Sequence, residues 1–180
     1  MDALDYQGRV SSVLAELGIS LDSIDNRGLP LCFEAENLVV AEIDNPGREH
    51  LLAPAAAEAW KKMKAAALAA GVGLQIVSAF RSLDRQIDIV RRKIEAGQTL
   101  DEILEVSAPP GYSEHHSGCA VDIGTLDCDS LEEVFEQSEA FSWLTGNASR
   151  FGFFMSFPRD NAYGYRHEPW HWAYRELHGS

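Results

Sequence analysis

Apolar residues recur at helical spacing in several stretches of the chain, and residues that start or stop helices bound these stretches. The pattern predicts helices over residues 10–17, 54–70, 82–96, 99–106 and 138–151. Gly18 is suited to end the first helix, and Ser82 is suited to begin the third as its N-cap. Thr99 and Glu102 fit a capping box at the start of the fourth.

Short apolar runs between these helices predict strands over residues 38–43, 74–79, 119–123, 153–157 and 170–174. The predicted elements do not follow the regular strand–helix–strand order that produces a parallel sheet. We therefore predict an α+β fold with a small, largely antiparallel central sheet flanked by helices.

Length and charge narrow the range of functions. The chain has 180 residues, typical of one domain, and 28 acidic against 15 basic residues give a formal net charge of −13. An acidic surface repels phosphate backbones, which argues against a nucleic-acid partner. No apolar run approaches the roughly 18 residues needed to cross a bilayer. The first residues show no signal peptide, so we expect a cytoplasmic location, or an extracytoplasmic one such as the periplasm if a leader has been removed.

Two segments concentrate chemically unusual side chains, SEHHSGCAVD at 113–122 and HEPWHW at 167–172. A catalytic zinc ion takes three protein ligands and leaves a fourth position for water. His115, Asp122 and His171 offer such a set. Asp122 lies in an apolar strand between Val121 and Ile123, where an unpaired carboxylate is costly to bury and a metal would offset the cost.

Glu168 and the two tryptophans surround the last of these histidines. A strand would direct His171 to one face and the indoles of Trp170 and Trp172 to the other, into packing or a pocket wall. Pro169 interrupts any continuous helix, so Glu168 is a carboxylate on a bend beside the histidine, suited to take a proton from water. Each residue also has an ordinary interpretation, as a core histidine, a turn-capping aspartate or a core tryptophan. A purely structural protein therefore stays one alternative.

The two segments resemble the signatures of one enzyme family. SEHHSGCAVD matches the pattern SxHxxGxAxD, and EPWHW matches the second signature, of the zinc D-alanyl-D-alanine carboxypeptidases and dipeptidases. The segment Ser78-Ala79-Phe80-Arg81-Ser82, followed by Gln86, is similar to a third block of that family. These VanY-like enzymes belong to a superfamily that also contains lysostaphin-type enzymes and hedgehog. The resemblance extends over about residues 73–174.

The resemblance implies a role for each matching residue. His115, Asp122 and His171 would bind Zn²⁺, and Glu168 would be the catalytic base and later the acid. Arg81 would stabilise the oxyanion or hold the substrate carboxylate, for which a planar, always charged guanidinium is suited. The predicted substrate-binding residues are Gln86, Ser113 and Trp170. Among the departures, Ala79-Phe80 replaces the commoner Gly-Tyr, and His116, expected near the pocket mouth, stands where Gln is frequent.

The resemblance also implies a fold and a function. We expect a hedgehog-like peptidase fold in one metallopeptidase domain over 1–180, with residues 1–45 as an extension packing on a catalytic core of about 46–176. The expected activity is hydrolysis of the C-terminal D-Ala from a peptidoglycan stem peptide or muropeptide. An L,D-carboxypeptidase, a D-Ala-D-Ala dipeptidase and a non-catalytic hedgehog-like zinc-binding module are the alternatives. The sequence does not indicate an oligomeric state.

Overall fold

Two antiparallel sheets form the strand part of the molecule. The computed structural model describes residues 2–45, 47–125 and 131–176. Strands β1 (Val39–Ile43) and β2 (Glu49–Leu52) form a two-stranded sheet. Strands β3 (Gln75–Ser78), β4 (Ala120–Gly124), β5 (Phe153–Met155) and β6 (His171–Tyr174) form a four-stranded sheet in the order β3-β4-β6-β5. Every pairing is antiparallel, which confirms the predicted sheet.

Six α-helices flank the sheets in the described part of the chain: α1 (Ala3–Leu17), α2 (Leu21–Asn26), α3 (Pro54–Ala69), α4 (Leu83–Glu95), α5 (Leu100–Val106) and α6 (Glu139–Asn147). The predicted caps are present, because Gly18 adopts a left-handed conformation after α1 and the Ser82 side chain accepts from the backbone of Arg85. Thr99 and Glu102 form the predicted capping box of α5. None of the helices in residues 2–45, 47–125 and 131–176 is long and apolar enough to span a bilayer.

Two apolar clusters hold these elements together. In the first, Trp60 and Met63 of α3 are buried in one cluster with residues of β4 such as Val121 and Ile123. In the second, the N-terminal helices pack on α4 and α5, with residues such as Val10 and Leu14 buried in one cluster with Leu83, Val90 and Ile103.

The structure differs from the sequence expectations at a few element ends. The helix predicted to reach residue 151 ends at Asn147, and a 3-10 helix (Ala148–Phe151) continues it, since Gly146 and Asn147 weaken the α-helical pattern. The sequence analysis missed α2 and β2, which have only 6 and 4 residues. The last strand begins at His171 because Pro169 and Trp170 form a turn.

Gly118 joins the sheet to the segment that carries the paired histidines. It has φ +67°, its N–H donates to the His115 carbonyl, and its own carbonyl accepts from Ala53 N at 2.9 Å. A Cβ at this position would lie 3.0 Å from Ala53 N and 2.9 Å from Leu38 Cδ2. Both the left-handed backbone and the close approach of another chain segment therefore require glycine here.

We expect Gly118→Ala to lower the free energy of unfolding by about 3 kcal/mol, because strain at positive φ adds to a steric overlap with backbone. The matched control is Gly97→Ala, since Gly97 has φ +85° but no atom within 4 Å of the added Cβ. The control is expected to lose only about 1 kcal/mol. Urea denaturation measures both, and equal losses would show that the contact with Ala53 does not matter.

Candidate active site

The antiparallel pairing of β4 with β6 brings two of the grouped side chains together. Asp122 and His171 are direct partners in the register, and His171 Nδ1 lies 3.0 Å from Asp122 Oδ1. A 3-10 helix, Glu114–Ser117, precedes β4 and places His115 Nε2 3.2 Å from Asp122 Oδ2. One ligand atom from each of the three residues lies within 4.8 Å of the others, and all three residues are buried.

Hydrogen bonds on the far side of each imidazole determine which nitrogen faces the cluster. His115 Nδ1 lies 2.7 Å from the Ala79 carbonyl oxygen, so Nδ1 carries a proton and Nε2 faces Asp122. His171 Nε2 lies 2.9 Å from Glu114 Oε2, so Nε2 donates to this carboxylate and Nδ1 faces Asp122. The inward atoms are therefore two imidazole nitrogens and a carboxylate oxygen, a donor set that zinc prefers.

The protonation of these groups supports a cation at their centre. Burial alone would lower the pKa of His171, but its hydrogen bonds to Asp122 and Glu114 raise it to about 10. Burial would likewise raise the pKa of Asp122, yet the imidazoles of His115 and His171 bring it well below its usual range. The cluster thus favours a positive charge beside Asp122. A bound metal ion provides this charge while the imidazoles stay neutral.

Glu168 lies beside the same nitrogen of His171. Its Oε2 is 3.9 Å from His171 Nδ1, and its side chain is 16% exposed. Burial raises the pKa of Glu168 to about 7, although the charges of His171 and Arg81 act in the opposite direction. A carboxyl group that titrates near neutrality exchanges protons efficiently with a reacting group.

Arg81 approaches the cluster from the end of β3. Its two terminal nitrogens donate to Gln86 Oε1 at 3.0 Å and Ser78 Oγ at 3.1 Å, and Nη2 lies 3.8 Å from Asp122 Oδ2. These contacts hold the guanidinium in one orientation while it still lines the cavity in front of the cluster. The arrangement can stabilise a negative charge that develops beside the three ligands.

A single cavity of about 490 Å³ connects these groups. Of the residues predicted at the site, it is lined by Arg81, Ser113, His115, Asp122, Glu168, Trp170 and His171. Five ionisable side chains, the Ser113 hydroxyl and the Trp170 indole therefore face one space. The substrate contacts of Ser113 and Trp170 stay predictions that their positions allow.

The structure places Gln86 behind Arg81, away from the cavity wall. Gln86 is fully buried, accepts from Arg81 and donates through Nε2 to the Ala108 carbonyl at 2.6 Å. Both ends of its amide are engaged within the protein. This position favours a role in orienting Arg81 over the predicted direct contact with substrate.

The orientation of the tryptophans also differs from the expectation. Trp172 is buried in the core and donates through Nε1 to the Pro169 carbonyl. Trp170, in contrast, lines the same cavity as His171. The predicted alternation of His171 against both indoles is wrong because the strand begins at His171, so Trp170 lies in the turn before it.

The contact of Glu114 with His171 and the burial of His116 were not predicted from the sequence. Glu114 binds the outer nitrogen of His171, from 57 positions away in the chain, a contact that local spacing does not reveal. His116 is fully buried, not at the pocket mouth. Its Nε2 accepts from Gly111 N at 3.2 Å, and its Nδ1 donates to the Arg81 carbonyl at 2.6 Å.

Known proteins are similar to this chain in sequence. A family model described as VanY, D-alanyl-D-alanine carboxypeptidase, matches residues 49–177. The Bacillus subtilis protein YodJ is 33% identical over 154 residues, which cover 81% of this chain and 56% of YodJ. The chain spans about half the length of the curated relatives it matches.

Two solved structures are similar as well. The LdcB LD-carboxypeptidase is 32% identical with a TM-score of 0.71, over 81% of this chain and 71% of LdcB. A VanY D,D-pentapeptidase from a VanB-type resistance cassette, solved in complex with Zn(II), is 28% identical with a TM-score of 0.62, over 81% of this chain and 82% of that one. The mixed fold with small antiparallel sheets is common to both relatives.

We expect His171→Ala to lose stoichiometric zinc, because two donors bind this ion much more weakly than three. Metal analysis by mass spectrometry after dialysis measures the content per chain. The control is His50→Ala, which removes another buried histidine, one that pairs with Asp44 outside the cluster. One zinc per chain in the His171 variant would exclude His171 from the ligand set.

We expect Glu114→Ala to weaken zinc binding about 10- to 100-fold, because a hydrogen-bonded outer partner fixes the ring of a metal-binding histidine. Glu114→Gln, which retains an acceptor oxygen, is expected to lose less. Competition with a fluorescent chelator measures the dissociation constants, and exposed Glu58 on α3 provides the control Glu58→Gln. The same zinc affinity in all variants would contradict this role.

Proposed function

The chain belongs to the VanY D-alanyl-D-alanine carboxypeptidase family, and we propose that it is a zinc-dependent carboxypeptidase that hydrolyses the C-terminal D-Ala from peptidoglycan-type peptides. The observation that carries this proposal is the position of Glu168 and Arg81 on either side of the His115, Asp122 and His171 cluster, in one cavity. A proton-transferring carboxyl group and a fixed cation are what amide hydrolysis requires beside a metal.

His115, Asp122 and His171 fit zinc by donor type, burial and mutual distance, and would hold it. Zinc, when bound, acts as a Lewis acid that polarises the scissile carbonyl and lowers the pKa of water. Glu114 and the Ala79 carbonyl keep the two imidazoles in the tautomers that this binding needs.

The remaining steps fall to Glu168 and Arg81. Glu168 accepts a proton from the attacking water at its carboxylate and then delivers it to the leaving amine. Arg81 places its guanidinium, oriented by Gln86 and Ser78, against the oxygen that becomes negative or against the terminal carboxylate of the peptide. Trp170 and Phe157 form apolar walls that limit access of bulk water.

One alternative within the family has its own support. The LdcB LD-carboxypeptidase is similar over 81% of this chain, so an L,D-carboxypeptidase is the second candidate. A dipeptidase needs the free D-Ala-D-Ala and stays the third. A non-catalytic zinc module has no need for both Glu168 and Arg81, whose convergence on the cluster therefore argues for an enzyme.

The cellular compartment decides which substrate the protein meets. A cytoplasmic enzyme would trim precursor or recycled peptides, whereas an extracytoplasmic enzyme would act on the wall. Fractionation of cells followed by immunodetection distinguishes the two locations.

The function is tested by incubating the protein with tri-, tetra- and pentapeptide muropeptides and with free D-Ala-D-Ala, with and without a chelator. We expect pentapeptide to lose one D-Ala and the chelator to abolish the reaction. Glu168→Gln is expected to retain zinc and to lose activity by about 1,000-fold, since it removes the proton acceptor. Mass spectrometry identifies the products.

Other products would overturn parts of this proposal. Conversion of tetrapeptide to tripeptide would show the L,D specificity, and cleavage of the free dipeptide alone would show a dipeptidase. A zinc-loaded protein that cleaves none of these substrates would support the binding module. A fully active Glu168→Gln variant would exclude Glu168 as the base.

A further inference from the structure

A cation that the proposed mechanism does not use, Lys93, is hydrogen-bonded to a residue that lines the active-site cavity. Lys93 lies seven residues after Gln86 on α4, two helical turns along the same face. Its Nζ donates to Ser107 Oγ at 2.6 Å. Ser107 lines the cavity, and its neighbour Ala108 accepts the hydrogen bond from Gln86. The ammonium of Lys93 therefore contacts a residue of the same cavity that Arg81 lines.

Lys93 differs from the cations that line the cavity because it forms no ion pair with a described carboxylate. Arg81 is held by Gln86, Ser78 and Asp122, and Arg166 pairs with Glu105 at 2.7 Å. Within residues 2–45, 47–125 and 131–176, Lys93 has no carboxylate within 4.0 Å. An ammonium offers three donor hydrogens, and the contact with Ser107 uses one of them.

Lys93 is a partly buried cation behind the cavity-lining Ser107. Burial lowers the pKa of Lys93, while the Glu168 carboxylate raises it and Arg81 lowers it further, so the ammonium is close enough to sense both groups of the active site. A half-buried cation without an ion pair is unusual in a chain with 28 acidic and 15 basic residues. A carboxylate of a bound ligand would give Lys93 an ion-pair partner.

Building on the proposed carboxypeptidase activity, we propose that Lys93 and Ser107 form an anion subsite that binds a second carboxylate of the substrate, in the side chain of the residue that precedes the terminal D-Ala-D-Ala. A carboxypeptidase releases a single residue, so any further side chain of the substrate lies on the acyl side of the cleaved bond. An extended peptide advances about 3.3 Å per residue, which lets that side chain reach a neighbouring part of the same cavity. The subsite thus selects acidic over amidated peptides.

The experiment compares acetyl-L-Glu-D-Ala-D-Ala with acetyl-L-Gln-D-Ala-D-Ala, which differ by one carboxylate. We expect kcat/KM of the protein to be about five- to tenfold higher for the Glu peptide, because a charge-assisted hydrogen bond is lost with the amide. In Lys93→Met this ratio is expected to fall to about one. Lys62→Met removes one positive charge from an exposed position on α3 and is expected to retain the ratio.

A second measurement separates this subsite from the activity itself. The dissociation constants of both peptides are measured calorimetrically on zinc-loaded Glu168→Gln, with and without Lys93→Met. Failure of the protein to cleave either peptide would overturn the proposed function, while a five- to tenfold tighter binding of the Glu peptide that requires Lys93 would still support the subsite. Equal affinities, absent binding of both peptides, or an unchanged preference in Lys93→Met would overturn the subsite.

Discussion

The pairing of β4 with β6 determines where the two central residues of the candidate site, Asp122 and His171, lie. It sets Asp122 opposite His171, and the same two strands pair Val121 with Trp172. Because side chains alternate between the two faces of a strand, a slip of one residue would exchange the site face with the core face. Val121 and Trp172 are buried in the apolar cluster under α3, so core packing and ligand geometry support the same register.

The segment from Ala79 to Arg81 connects the histidine-bearing 3-10 helix to the guanidinium of Arg81. The Ala79 carbonyl accepts from His115, the Arg81 carbonyl accepts from His116, and Arg81 N donates to the His115 carbonyl. The 3-10 helix that carries both histidines is therefore bound to the chain segment that presents the guanidinium. A displacement of either would move the other, which keeps the metal ligands and Arg81 in a constant relation.

Local chemistry explains why part of this structure was predictable. The caps at Gly18, Ser82 and Thr99 depend on a few adjacent residues. The first observed helix ends before Gly18, and the other two begin after Ser82 and Thr99. The convergence of His115, Asp122 and His171 was predictable as well, but from the joint occurrence of three motifs and not from any single one.

Contacts across long stretches of chain explain the rest. The hydrogen bond of Glu114 to His171 joins residues 57 positions apart, and the burial of Gln86 depends on the Ala108 carbonyl from another loop. Trp170 lines the cavity only because Pro169 delays the start of β6. Each of these features depends on how separate segments pack, which periodicity does not encode.

The N-terminal segment lies outside the family match, which begins at residue 49. It supports one wall of the cavity from behind. Helix α1 packs on α4, the helix that carries Gln86 and Lys93, and Arg9 forms an ion pair with Asp84 at its start. Arg27 donates to the carbonyls of Leu104 and Tyr163 and stacks over the ring of Tyr165, which lines the cavity. The wall of the cavity is thus supported from behind by residues that the family signatures do not include.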